Sequence, residues 1–199
     1  MTLIERALVV GVELLTRIID WEDRNSCVLF GDAAGAMVLG PSEDPNRGIL
    51  STHLHTDGSQ PDILCIKGGG SKHPANEEML RQKLHKVSMN GREVYKFAVR
   101  SLTDAVKEGL AFNNLPAEQV THVIAHQANI RIIDAVLERL EIPRTKAWLN
   151  IDRFGNTSSA SLPTTLDEAN RAGKLKPNDT IAMMAIGAGM SWGSAVVRW

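Results

Sequence analysis

The stretch THVIAHQANIRIIDAVLERL, residues 121–140, carries the signal that decides the fold. Its first five residues are apolar or β-compatible and read as a buried strand. From residue 130 the period changes, and Ile133, Val136, Leu137 and Leu140 recur at helical spacing. A strand that runs through a short polar turn into an amphipathic helix is the building unit of an α/β protein. His126 stands at that turn, where a strand ends and a polar side chain meets open space.

The same pattern repeats outward along the chain. Residues 147–150 read as a short strand and residues 158–172 as a helix, with Pro163 near its first turn and Gly173 at its C-cap. Residues 180–186 form an uninterrupted strand, IAMMAI at its centre, which predicts a sheet covered on both faces. A tight turn, Gly187-Ala188-Gly189, leads into a closing strand at 192–199. Upstream, a long helix begins at residue 90 with Val94, Ala98, Leu102 and Val106 on one face. Residues 49–55 read as a strand, 57–71 as irregular, and 74–85 as a surface segment. Residues 14–20 form a short helix. Residues 27–30 and 36–39 read as strands around a small-residue turn, Gly31-Asp32-Ala33-Ala34-Gly35. Residues 6–13 (RALVVGVE) read as a fully buried parallel strand with too little chain before it to supply its neighbours, so further sequence is expected upstream.

Composition narrows the classes. The chain has 199 residues, 43% of them hydrophobic, enough for one large domain or two small ones. A formal net charge of −1 provides no bulk field for nucleic acid or a membrane surface, and no apolar run is long enough to span a bilayer. Two cysteines and six histidines provide neither a disulfide framework nor a repeated metal spacing. No metal is expected, and the default setting is the cytoplasm. His53 and His55 share one strand face, but two ligands are not a metal site. Gly68-Gly69-Gly70-Ser71-Lys72 lacks the spacing of a phosphate loop. Two Asn-x-Thr/Ser sequons, at Asn156 and Asn178, are weak patterns without a secretory signal.

Chemistry concentrates on two residues. His126 sits in IAHQANIRII and Asn156 in NIDRFGNTSSAS, thirty positions later, each after a short strand and before a helix. An imidazole and a carboxamide both donate hydrogen bonds while neutral, which is what a developing enolate or oxyanion needs. Taken singly, each has an ordinary structural explanation: a satisfied core histidine, and an asparagine that caps a helix. Their pairing favours a site. A Cys…His…Asn order also occurs in papain-like proteases, but the local signatures of those enzymes are missing around Cys27 and Cys65.

Four segments in one order carry a resemblance: CVLFGDAAGAMVLG at 27–40, AHQANIRII at 125–133, NIDRFGNTSSASLP at 150–163 and AIGAGMSWGSAVVRW at 185–199. Together they resemble the ketoacyl synthase III enzymes that initiate fatty-acid synthesis, members of the thiolase-fold condensing enzymes. The resemblance implies a layered α-β-α-β-α fold of two similar halves and a homodimer. Residues 1–45 would be the tail of the N-terminal half and residues 46–199 the complete C-terminal half. It implies a Cys-His-Asn site whose cysteine lies upstream of these residues, with an acyl-CoA primer and malonyl-acyl-carrier protein as substrates and no cofactor. His126, neutral and donating from its ε nitrogen, and Asn156 would hold the malonyl thioester carbonyl. The backbone N–H of Ala188, where the family usually has glycine, would complete an oxyanion hole. Arg24, Asn129 and Gly91 would contact coenzyme A or its pantetheine arm, and Lys96 and Arg131, with Arg100, would dock the acyl carrier protein. Elongating synthases, which pair His with a second His, fit less well. The alternatives are a chalcone-synthase-like condenser, or a truncated, non-catalytic partner subunit that supplies half a site. Without the cysteine the chain alone is expected to be inactive in condensation.

Overall fold

A computed structural model describes residues 5–199. The chain opens with β1 (Ala7–Leu14), a 3-10 turn at Leu15–Arg17, β2 (Asp32–Leu39) and β3 (Gly48–Thr56). β4 (Leu64–Ile66), α1 (Glu77–Arg81), β5 (Val87–Met89) and α2 (Gly91–Phe112) follow. Next come β6 (His122–Ala125), α3 (Ile130–Arg139), β7 (Ala147–Trp148) and α4 (Ile151–Phe154). The chain closes with α5 (Ser161–Arg171), β8 (Thr180–Gly187) and β9 (Ser191–Arg198).

The main sheet has the order β3-β9-β8-β6-β7. β7 and β8 run parallel to β6, whereas β9 is antiparallel to both β8 and β3. The parallel centre arises because β6 is followed by helical crossovers, and the antiparallel side because only a three-residue turn separates β8 from β9. α2 and α3 cover one face, and α5 covers the other. The larger core joins Phe97, Leu102 and Val106 of α2 to Ile133, Val136 and Leu137 of α3 and to Ala182 and Met184 of β8. The smaller core places Leu166 and Ala169 of α5 against Ile124 and Ile181. Beyond α5, the β1–β2 ribbon forms a further layer, so the described residues stack as helices, sheet, helix and ribbon.

Caps explain where the helices start. Asn90 accepts a hydrogen bond from Glu93 N at α2, and Asn129 accepts one from Arg131 N at α3. α5 follows a 3-10 turn at Ser158–Ala160, carries Pro163 in its first turn, and is followed by Gly173 at φ 62°.

The first forty residues differ from the sequence expectation. Among the described residues β1 has one partner, β2, and pairs with it antiparallel over all eight residues. The intervening residues 15–31 contain only a 3-10 turn and no helix to return the chain in parallel. Nor is β1 fully buried, since only Gly11 is, and Leu8, Val10, Val12 and Val38 are exposed apolar residues. Residues 27–30 are turns rather than a strand, with one isolated β-bridge, from Phe30 to Asn156. Gly31-Asp32-Ala33-Ala34-Gly35 is not a turn; it enters and forms the first half of β2. Its small side chains serve packing: a Cβ at Gly35 would stand 2.9 Å from Pro163 Cγ, so α5 can lie directly on the ribbon. Smaller differences are a three-residue β4 inside the segment read as irregular, a helical turn at α1 that buries Met79, and α4.

Gly11 sets the seat of the ribbon, because a Cβ there would run into the Ser159 carbonyl. Gly11→Ala is expected to destabilise the protein by about 1–3 kcal/mol, the usual cost of overpacking. A urea unfolding midpoint unchanged from the parent would show that the ribbon does not press on the 158–160 turn.

Candidate active site

His126 is fixed by the sheet. Its N–H donates to the Met184 carbonyl at 2.8 Å, which extends the β6–β8 pairing by one residue. The helix does not begin at once: residues 126–129 form a loop, and α3 starts at Ile130. Gln127 is fully buried inside that loop. Its Nε2 donates to the Ala125 and Trp148 carbonyls at 2.9 and 3.2 Å, and its Oε1 accepts from Asn150 N at 3.1 Å. One carboxamide therefore ties the end of β6 to the end of β7.

Asn156 is fixed by the first forty residues. Its N–H donates to the Leu29 carbonyl at 2.7 Å, and its carbonyl accepts from Gly31 N at 2.9 Å. Its side-chain Oδ1 accepts from Ser158 N at 2.9 Å, so the oxygen is engaged and the NH₂ group remains available. Asn156 thus satisfies the turn that precedes α5 while keeping two N–H donors.

The imidazole is similarly divided. Nδ1 lies 2.7 Å from Ser161 Oγ, whereas Nε2 has no partner among the described residues. Burial drives the pKa of His126 down from 6.5 to about 4; the Ser158 carbonyl and the Glu13 carboxylate oppose this without overcoming it. Glu13 projects from β1 onto the same turn. Burial would raise its pKa, but hydrogen bonds from Ser159 Oγ at 2.6 Å and Ser159 N at 3.2 Å outweigh that and hold it below the ordinary value. Sequence reading missed both Glu13 and Ser161. The one available signal was the run of hydroxyls in Thr157-Ser158-Ser159-Ala160-Ser161, directly after Asn156.

His126 and Asn156 line one cavity of about 710 Å³. Leu29, Phe30, Leu64, Met89, Ile186 and Met190 give it apolar walls. Four further residues singled out in the sequence line it as well: Gly91 and Lys96 from α2, and Asn129 and Arg131 at the start of α3. Lys96 also bonds Glu93 at 2.8 Å on its own helix. Arg24 does not line the cavity; it is exposed, and its neighbour Asn25 lines the wall instead. Ala188 is also exposed and outside the lining, which takes Gly187 from the same turn. Ala188 avoids positive φ, so alanine is accommodated there without strain. Arg100 lies outside this cavity. A second cavity, of about 430 Å³, lies on the other side of His126 between Val10 and Gly11 of β1 and Ser159 and Leu162. Neither Cys27 nor Cys65 lines either cavity. Among the described residues no cluster of three or more His, Cys, Asp or Glu side chains could hold a metal ion, and no helix is long and apolar enough to cross a membrane.

The layered α/β arrangement, with mixed sheet and covering helices, is that of the thiolase-like class of fold. The C-terminal sequence profile of 3-oxoacyl-[acyl-carrier-protein] synthase III matches residues 110–199, and the synthase III profile that precedes it matches residues 2–58. The chain belongs to the 3-oxoacyl-[acyl-carrier-protein] synthase III family. It is 46% identical over 195 residues to a beta-ketoacyl-[acyl-carrier-protein] synthase III of Desulfitobacterium hafniense, a match covering 98% of this chain and 59% of that protein. A synthase of the same name from Roseiflexus sp. is 44% identical, covering 96% of this chain and 58% of the relative. The crystal structure of 3-oxoacyl-[acyl-carrier-protein] synthase III from Aquifex aeolicus superposes with a TM-score of 0.86 at 42% identity, over 98% of this chain and 58% of that one. The chain therefore spans somewhat under three fifths of the length of the curated relatives it matches.

A pKa near 4 fixes the charge of His126. Folding favours its neutral form, so this histidine contributes full stability above its unfolded pKa of about 6.5 and loses it as pH falls towards about 4. In an NMR titration its ring signals are expected not to move between about pH 5.5 and 8, where an ordinary histidine titrates. A transition near pH 6.5 would mean that the ring is solvated and the site open.

Proposed function

We propose that this chain carries the His–Asn part of a 3-oxoacyl-[acyl-carrier-protein] synthase III, which joins a short acyl primer from coenzyme A to malonyl-acyl-carrier protein by decarboxylating Claisen condensation. The observation that carries this reading is that His126 and Asn156 line one cavity, each with one hydrogen-bonding atom engaged by protein and the other left over. When a malonyl thioester loses carbon dioxide, charge develops on its carbonyl oxygen. Asn156 Nδ2 and His126 Nε2 are the two groups available to receive it. Both are uncharged, preorganised and set among apolar walls, where a donor acts with little competition from water.

The enolate needs an electrophile, the acyl group on a cysteine thiol. Cys27 and Cys65 lie away from both cavities, so in this reading the thiol comes from sequence outside these 199 residues. Residues 1–45 are then the tail of the thiolase-like half that bears it, and residues 46–199 the second half. The cavity suits an extended pantetheine arm: Asn129 and Gly91 lie along it, and the exposed cations Lys96 and Arg131 attract an acidic carrier protein to its mouth. In this reading Arg24, exposed and outside the cavity lining, would contact the nucleotide end of coenzyme A. The partners are acyl carrier protein and coenzyme A thioesters, with a homodimer for the longer form, in the cytoplasm.

The test is product formation from acetyl-CoA and malonyl-acyl-carrier protein. The 199-residue chain alone is expected to make none; when the nucleophile-bearing segment of a relative is joined to it, condensation is expected to appear. In that joined protein Asn156→Ala should lower turnover by about 10²–10³-fold, the usual cost of one oxyanion donor. Robust turnover by the chain alone would move the nucleophile to Cys27 or Cys65, and an active Asn156→Ala would remove the oxyanion role. In the same assay Arg131→Glu is expected to raise KM for the carrier-borne substrate by about tenfold and to spare malonyl-CoA, since a rim charge mainly affects encounter with its partner.

A further inference from the structure

We propose that Ser161 is the positioning residue that sets the tautomer of His126, by donating its hydroxyl proton to Nδ1 and so leaving the ring proton on Nε2. This rests on the proposed oxyanion role, for which Nε2 must be a donor.

Ser161 is fully buried at the first position of α5, and its Oγ lies 2.7 Å from His126 Nδ1. The same oxygen is 3.2 Å from the N–H of Gln127, which can only donate to it, and 2.7 Å from the Ser158 carbonyl, which can only accept. The hydroxyl has one proton and two places for it. If the proton points to Ser158, the ring must carry its own proton on Nδ1, and Nε2 then meets the cavity as a lone pair. If it points to Nδ1, a neutral ring must be protonated at Nε2.

Three observations select the second arrangement. The Ser158 carbonyl already accepts the backbone N–H of Ser161, so it is not orphaned when the hydroxyl turns away. The Gln127 N–H fills one acceptor site on Oγ and comes from a loop that Gln127 itself locks in place. Nε2 is the nitrogen without a protein partner on a ring that lines the cavity, so a proton there is the one a substrate oxygen can use. A histidine's orientation and tautomer are set by what its other nitrogen bonds, and here the Ser161 hydroxyl at 2.7 Å competes for Nδ1 with the Ser158 carbonyl, which can only accept.

The test needs no substrate, so it stands apart from the condensation assay. Two-bond ¹H–¹⁵N correlation spectra of the ¹⁵N-histidine-labelled protein near pH 7.5 report which ring nitrogen bears the proton. The expected result is a neutral His126 protonated at Nε2 in the parent, and a shift of the majority population to the Nδ1–H form in Ser161→Ala, where Nδ1 can bond only the Ser158 carbonyl. Ser161→Thr, which keeps the hydroxyl, is expected to restore the parent pattern. A parent protein protonated at Nδ1 overturns the proposal whatever the variants do, as does a folded Ser161→Ala with an unchanged tautomer. If the tautomer is as expected and no condensation is ever found, the proposed function fails and the assignment of Ser161 remains.

Discussion

The structure around the site depends on one buried carboxamide. Gln127 has no exposed surface, and a buried amide costs free energy unless its donors and acceptor are all used. Here two N–H groups and the oxygen bond the Ala125 and Trp148 carbonyls and Asn150 N. Those three backbone groups are the ends of two parallel strands, where the ladder stops and peptide groups would otherwise face the interior unpaired. The same residue holds the loop that presents His126, and its N–H reaches Ser161. An apolar residue of similar volume would leave the three backbone groups unsatisfied and free the loop that positions the imidazole.

A second constraint follows from the caps. Asn129 and Asn156 each spend their side-chain oxygen on a backbone N–H at a helix or turn start, at 2.9 Å in both cases. The choice orients the amide, because the oxygen points back into the protein and the NH₂ group points elsewhere. A site intended to hold a developing negative charge gains donors in this way without gaining a formal charge. His126 is a neutral donor too, because burial disfavours its charged form. Burial lowers its pKa to about 4 and Glu13 pulls the other way, so the carboxylate limits the shift rather than causing it.

Much of the second half was legible from residue 90 onward. The helical period of α2 and α3, the proline and glycine that bracket α5, and the uninterrupted β8 all reflect local chemistry that one sequence states directly. His126 was legible because it follows the end of β6, whereas Asn156, read as following a strand, comes after the helical turn α4 and Gly155. The first forty residues misled for physical reasons. An apolar run such as LVVGV predicts burial, but whether a strand is buried and which way its neighbour runs depends on what packs beside it. Small residues at 31–35 look like a turn by composition, and only the approach of Pro163 shows that they make room for a helix. Ser161 and Glu13 were illegible because their roles are long-range: they lie 35 and 113 positions from His126. A serine in a helix's first turn reads as an ordinary capping residue.

The position of His126 between two cavities constrains how the site can operate. One cavity, of about 710 Å³, has cations at its edge and apolar walls; the other, of about 430 Å³, is bounded by β1 and the first turn of α5. His126, Ile186 and Gly187 line both. The imidazole, held at the end of β6 by the sheet, therefore faces both spaces from one fixed position. The fixed points of this arrangement come from both parts of the chain, with Asn156 held by Leu29 and Gly31 and Ser159 held by Glu13. Displacing the β1–β2 ribbon would therefore disturb the 158–160 turn and the wall of the second cavity together, which ties the geometry around His126 to the packing of the ribbon.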